Sequence, residues 1–337
     1  MRVLIAPDCF GGTLSAPEAA QAMARGWHAA APGDELWLRP LTDGGPGFVD
    51  VLFTVLNGSV HELEVTGPLG APVTARWLEH DGTGYIESAQ ANGLHLVPRE
   101  DRRPLEATTR GVGELMVNAR AAGMERIVVG LGGSATTDGG KGMLEVATNG
   151  DWPELVAATD VENPLLGPHG AAHTFGPQKG ATSEDVEELE SRLDEWSAQV
   201  GPQHRGTPGA GAAGGLGFGL FLLGAKRVSG AGLVRDLTGL DKVLATAQLV
   251  LTGEGSFDWQ SLRGKLVTSV ASAAAERGLP CLVLAGQVSV GRREAAAAGI
   301  EASYAVVDHA GSVEAAFADP AGTLAALATE VAGQWSA

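Results

Sequence analysis

The residues densest in chemical capacity run from Ile127 to Met143, IVVGLGGSATTDGGKGM. The β-branched run Ile127, Val128 and Val129 reads as a buried strand that stops at Gly132-Gly133 and passes into a loop of small residues. Gly132 and Gly133 let backbone N–H groups approach a ligand closely, and Ser134, Ala135, Thr136 and Thr137 keep the loop small while adding hydroxyls. Gly139 then stands where a helix would open, and a helix N-terminus favours negative charge. The pattern is that of an anion site. Asp138 inside it would repel phosphate unless a cation or a substrate hydroxyl stood between them, which points to Mg²⁺ or an acceptor alcohol. Taken alone, the same Asp is an N-cap on a Gly-rich turn.

Other loops of this character end other strands. Val3–Ala6 reads as a strand ending at Pro7-Asp8, and Leu36–Leu41 as one ending at Thr42-Asp43-Gly44-Gly45. Leu249–Thr252 ends at Gly253-Glu254-Gly255, with Asp258, Arg263, Gly264 and Lys265 close behind. Carboxylates at the ends of successive strands fall on one rim of an open α/β sheet, where such sheets bind ligands, although Asp-Gly is also ordinary turn chemistry. Lys179 is the only Lys or Arg in the long loop Glu162–Thr182, and could serve as a point charge on a phosphate or carboxylate.

The elements that must position these groups alternate at both chain ends. Ser15 with Glu18 forms a capping box at the start of a first helix. From Leu249, strands at Cys281–Ala285 and Ser303–Val307, the last ending at Asp308, alternate with helices, which predicts a parallel sheet. Between Val60 and Ala89 the texture changes to short strands, Glu62–Thr66, Val73–Glu79 and Tyr85–Glu87, with Gly-Pro and Asp-Gly turns, which predicts an antiparallel segment. Gly209–Leu223, GAGAAGGLGFGLFLL, has dinucleotide-fingerprint glycines without a strand leading into them, so close-packed small residues at a helix start are the better reading. The fold class is therefore α/β. One doubly wound domain is built from both chain ends, residues 1–60 and 240–337, and a second α/β domain, 61–239, is inserted, with the active site expected in the cleft between them.

A chain of 337 residues with 44% hydrophobic content can bury a sizeable core. Its net charge of −17 argues against nucleic acid or an anionic membrane as partner, and much less against a small anion carried with Mg²⁺. No apolar stretch is long enough to span a bilayer and no signal-peptide pattern opens the chain, so cytoplasm is the default expectation. Cys9 and Cys281 read as reduced thiols, and neither has metal-ligand spacing.

Taken together, the motifs resemble the two-domain bacterial glycerate kinases, which phosphorylate D-glycerate from ATP with Mg²⁺. The matching segments are Ala6-Pro-Asp8 with Leu14-Ser15-Ala16, Asp43-Gly-Gly45, Thr66-Gly-Pro-Leu-Gly70, Gly132-Gly-Ser-Ala-Thr136 with Asp138-Gly-Gly140, Asn163-Pro164, Phe175-Gly-Pro-Gln-Lys-Gly180, the glycine run from Gly209 to Gly217, Thr252-Gly-Glu-Gly255, and Leu262-Arg-Gly-Lys265. The resemblance implies a flavodoxin-like domain plus a second, unusual α/β domain. It places nucleotide phosphates on Gly132, Gly133, Ser134, Ala135, Thr136 and Gly139 with Lys179. Asp8, Asp43, Asp138, Glu254 and Asp258 are candidates to accept the alcohol proton or hold metal, with Asp138 and Glu254 the metal ligands. Gly44, Gly45, Arg263 and Lys265 would hold the substrate, and a monomer or homodimer is expected.

Departures from the family pattern leave two alternatives, a kinase of a different hydroxy acid or polyol and a catalytically silent ligand binder. Members usually read Ser-Phe-Lys-Gly after the first Asp, where this chain has Cys9-Phe10-Gly11-Gly12. They usually read Asp-Gly-Gly-Glu-Gly-Thr, where Pro46 replaces the Glu and Phe48 the Thr. Asn is usual at Thr137 and Gly at Trp259, and a segment before the strand at Val156 is missing.

Overall fold

The computed structural model describes residues 1–147, 150–263 and 266–336. In chain order β1 (Arg2–Ile5) and β2 (Glu35–Leu38) come first, and then β3 (Ser59–Thr66), β4 (Pro72–His80), β5 (Thr83–Glu87), β6 (Arg126–Gly130), β7 (Glu154–Ala158) and β8 (Lys226–Val228). The last strands are β9 (Leu249–Thr252), β10 (Ser256–Phe257), β11 (Cys281–Ala285), β12 (Gln287–Val288) and β13 (Ala302–Ala305). They divide between two compact units, Met1–Thr42 with Val234–Ala337, and Asp43–Leu233.

The first unit carries a five-stranded sheet in the order β13-β11-β9-β1-β2, every pair parallel. Read from the other edge this is the flavodoxin-like order, whose direction reverses between β1 and β9. Val3, Ile5, Leu249, Leu251, Leu282 and Leu284 pack with Trp27 and Leu324 of the flanking helices Ala16–Ala30 and Pro320–Trp335. The alternate residues Leu4, Val250 and Val283 are fully buried as well, as a sheet covered on both faces requires. β13 ends at Ala305, and a short helix, Val306–Ala310, begins where the sequence suggests more strand, so Asp308 lies in a helix rather than at a strand end.

In the second unit six strands run β3-β4-β5-β6-β7-β8. The first pairs are antiparallel, and β5 through β8 are parallel. The helix Phe48–Leu56 belongs here, although a boundary near residue 60 assigns it to the first unit. Its Phe48 ring stands edge-on to Tyr85 of β5 at 6.3 Å, and Val49, Val51 and Leu52 are fully buried, so its apolar face has its partner in this sheet. Gly209–Leu223 becomes the helix Ala212–Leu222, broken near its start by Ala213, Gly214 and Gly215 in left-handed conformation.

Candidate active site

In the first unit the chemistry collects at the reversal point. Asp8 follows β1 and Glu254 follows β9. The two loops are tied by the Asp8 amide donating to the Gly253 carbonyl at 2.8 Å and by Thr252 Oγ1 donating to the Ala6 carbonyl at 2.8 Å. A Cβ at Gly255 would stand 3.0 Å from the Gly11 nitrogen, so glycine there is what lets the loops touch. The Asp8 carboxylate accepts from the Cys9 amide at 2.7 Å, and Asp258 accepts from the Gln260 amide at 2.7 Å. Asp8, Glu254 and Asp258, nominated separately by sequence, line one cavity of about 420 Å³. Glu254 is buried. Gly11, where the family carries Lys, has φ of +47°, a conformation that would cost a lysine about 1–2 kcal/mol.

The second unit brings together another nominated set. Asp43 accepts from the Gly45 amide at 2.9 Å, closing a turn that leaves the carboxylate at the surface. This turn lies against the Gly132-Gly133 turn after β6. A Cβ on Gly132 would stand 2.7 Å from Gly45 Cα, and one on Gly133 2.6 Å from the Pro46 ring. These glycines therefore serve loop-on-loop contact at least as much as approach to a ligand. Behind the turn, the buried Glu87 at the end of β5 accepts from the Val49 amide at 3.3 Å, capping the helix Phe48–Leu56 from a neighbouring strand. Burial pushes the Glu87 carboxyl up to about 7, against the opposing pull of hydrogen bonds from the Gly47 and Val49 backbone.

Beyond Gly133 the loop turns inward. Ser134, Ala135, Thr136 and Thr137 are buried, and Asn92 accepts from the Ala135 amide at 2.7 Å and donates to Thr136 Oγ1 at 3.1 Å. Gly139 and Gly140 take left-handed turns with φ of 65° and 74°, so the helix opens at Lys141 rather than at Gly139. Asp138 accepts from the Thr109 amide at 2.9 Å, Thr109 Oγ1 at 2.8 Å, the Gly142 amide at 3.1 Å and the Gly140 amide at 3.1 Å. Burial raises its pKa against the pull of those bonds. A carboxylate engaged by four donors braces its loop and has little left to offer a cation.

Lys179 is also inside, 3% exposed, with Nζ donating to the Thr136 carbonyl at 2.5 Å. Burial lowers its pKa to about 7, opposed by the charge of Asp138. Among the described residues no three His, Cys, Asp or Glu side chains converge as a metal-holding group. The two nominated metal ligands lie in different units, Asp138 in the second and Glu254 in the first. Arg263 closes the turn Ser261–Arg263, and Lys265 lies outside the described residues. Cys9 and Cys281 both remain thiols, and burial pushes Cys281 up to about 12. No described helix is long and apolar enough to cross a membrane.

Sequence reasoning did not reach Glu87, Asn92 or Thr109. Their importance lies in contacts with residues 29 to 44 positions away along the chain, and no local motif marks them.

Comparison with known proteins agrees with this geometry. The model of the glycerate kinase family matches residues 3–151 and 146–336, two pieces that overlap just before β7 and together span nearly the whole chain. The chain is 39% identical to glycerate kinase of Bacillus subtilis strain 168, covering 98% of this chain and 97% of that protein. It is 36% identical to glycerate 2-kinase of Escherichia coli K12, covering 94% and 93%. A solved structure from Salmonella typhimurium LT2, described as a candidate glycerate kinase 2, superposes with a TM-score of 0.82 at 32% identity, covering 100% and 98% of the two chains. With both the sheet order and these matches spanning the whole sequence, the chain belongs to the glycerate kinase family.

Proposed function

We propose that this protein transfers the γ-phosphoryl group of ATP to a hydroxyl of D-glycerate. The observation that carries the reading is the pair of carboxylates, Asp8 and Glu254, set by adjoining parallel strands at the reversal point of a flavodoxin-like sheet and lining one cavity. Mg²⁺ is ordinarily held by only one or two protein carboxylates, with water and substrate phosphates completing its shell, and this donor set fits that demand. When bound, the ion neutralises charge on the transferring group. Asp8 and Glu254 would hold it, and Asp258, which lines the same cavity, would accept the alcohol proton. Arg263 and Lys265, the basic pair that follows, supply the cations a glycerate carboxylate calls for. Asp138 and Lys179 act indirectly, by fixing the loop from Gly132 to Gly142.

The test is ADP release by the purified protein with MgATP and D-glycerate, beside L-glycerate, other hydroxy acids and a blank without acceptor. Release with D-glycerate, reduced about 10²-fold or more in Glu254→Gln, is the expected result. Binding of MgATP with no release for any acceptor would overturn the assignment and leave a silent ligand binder.

A further inference from the structure

The cavity in the first unit has two ends of different chemistry. Asp8, Glu254 and Asp258 come from the loops after β1 and β9, with Phe10 and Leu14 adding apolar surface beside Asp8, whereas the residues supplied after β13, Val306, Val307 and Phe317, make a wholly apolar wall. The strand order β13-β11-β9-β1 puts two strand spacings, about 10 Å, between Val306 and Val307, which directly follow β13, and the loop after β9. Phe317 is 61% exposed, the most exposed large apolar side chain among the described residues, while Val306 and Ala316 beside it are buried. An aromatic face held open to solvent at the mouth of a cavity lacks the burial that normally stabilises such a side chain. Of the two ligands that phosphoryl transfer to glycerate requires, glycerate has no apolar part to meet that wall. A purine nucleotide is aromatic at one end and anionic at the other.

We infer that this cavity is the nucleotide site, with the base stacked against Phe317 and the phosphates directed to the carboxylate end, an assignment that rests on the kinase reading. Gln287, whose backbone N–H donates to the Gly255 carbonyl, also lines the cavity and adds a side-chain amide for the polar edge of a base. The second unit has a cavity of about 420 Å³ too, next to the loop that sequence motifs nominate for phosphates. Its two cations, Lys141 and Arg192, are already engaged. The Lys141 ammonium sits 5.7 Å from the centre of the Trp196 ring, Trp196 Nε1 donates to the Gly139 carbonyl at 3.4 Å, and Arg192 bonds Glu188 at 2.7 Å.

Titration calorimetry of the full chain with MgADP tests the assignment without relying on turnover. Phe317→Ala, at an exposed position that contributes little to the core, should weaken MgADP at least tenfold. Phe317→Trp should keep the affinity and, compared in a Trp259→Phe background, add a fluorescence change on nucleotide binding that the Phe317 form lacks. Magnesium tripolyphosphate, which has no base, should bind wild type and Phe317→Ala equally, and Trp196→Ala should bind MgADP as wild type does. MgADP affinity within twofold of wild type in Phe317→Ala, or its loss in Trp196→Ala, would overturn the inference. If these binding results hold and no acceptor is phosphorylated, the kinase reading fails while the nucleotide site stands. If D-glycerate is phosphorylated but Phe317→Ala binds normally, the site assignment alone fails.

Discussion

Glu87 spends its carboxyl on holding a backbone turn in place, and the expense is a titration displaced from 4.5 to about 7. Between those pH values the native state retains a proton that the unfolded chain has lost, so this group's stabilising contribution is complete below pH 4.5 and disappears as the pH rises through 7. Glu87→Gln keeps an acceptor for the Val49 amide and cannot ionise. Its melting temperature should exceed that of wild type at pH 8 by more than at pH 5, a differential on the order of 3 kcal/mol. Equal differences at both pH values would show that Glu87 titrates normally. Lys179 works in the opposite sense. Its pKa, lowered from 10.5 to about 7, makes the native state lose a proton that the unfolded chain keeps, so stability rises with pH across that interval. Thermal melts of Lys179→Met between pH 7 and 10 should lack that rise. Glu254, held between Gly253 and Gly255 after β9, and Asp8, at the end of β1 with glycines close behind, are legible as candidates because an acidic residue with glycines at a strand end is a local signal. Glu87 ends a strand without a glycine next to it, and only the helix folded over it makes it consequential.

At the scale of elements, glycines decide which loops can meet. Gly214 has φ of 70°, and a Cβ there would lie 1.8 Å from the Thr136 carbonyl oxygen. Gly215 and Gly219 press in the same way on Gly139 and Gly140. The run from Gly209 to Gly219 thus packs against the loop from Thr136 to Gly140, which is why its spacing mimics a nucleotide fingerprint without being one. Gly214→Ala combines left-handed strain with overpacking and should destabilise by about 3 kcal/mol. In denaturant melts Gly206→Ala, with open space around it, should match wild type within about 0.5 kcal/mol. If the two variants melt alike, the close approach of these loops is not as described. The rejection of a dinucleotide motif could be read from sequence because the missing strand is a local fact. The allegiance of the helix Phe48–Leu56 could not, since apolar periodicity says that a face is buried and leaves its partner unnamed.

For the whole molecule, the decisive fact is that the second unit is one uninterrupted stretch of sequence, Asp43–Leu233, that divides the first into its two chain ends. Its core joins Val65, Trp77, Ile86, Val129, Leu193 and Phe218, all from between Asp43 and Leu233. The core around Trp27 draws only on the two chain ends. The stretch also begins and finishes at neighbouring points, since a Cβ on Gly230 would lie 1.8 Å from the Asp43 carbonyl oxygen. A segment with its own core and adjacent termini meets the physical conditions for folding alone. Residues 43–233 expressed as a separate protein should therefore give a dispersed amide NMR spectrum and one cooperative denaturant transition. The Asp138 brace, whose partners Thr109, Gly140 and Gly142 all lie within the segment, should persist, so Asp138→Asn should lower that transition by about 1–3 kcal/mol, as in the full chain. A broad transition with collapsed amide dispersion would mean that the second unit depends on the chain ends for its stability, and would rule out its being an autonomous insertion.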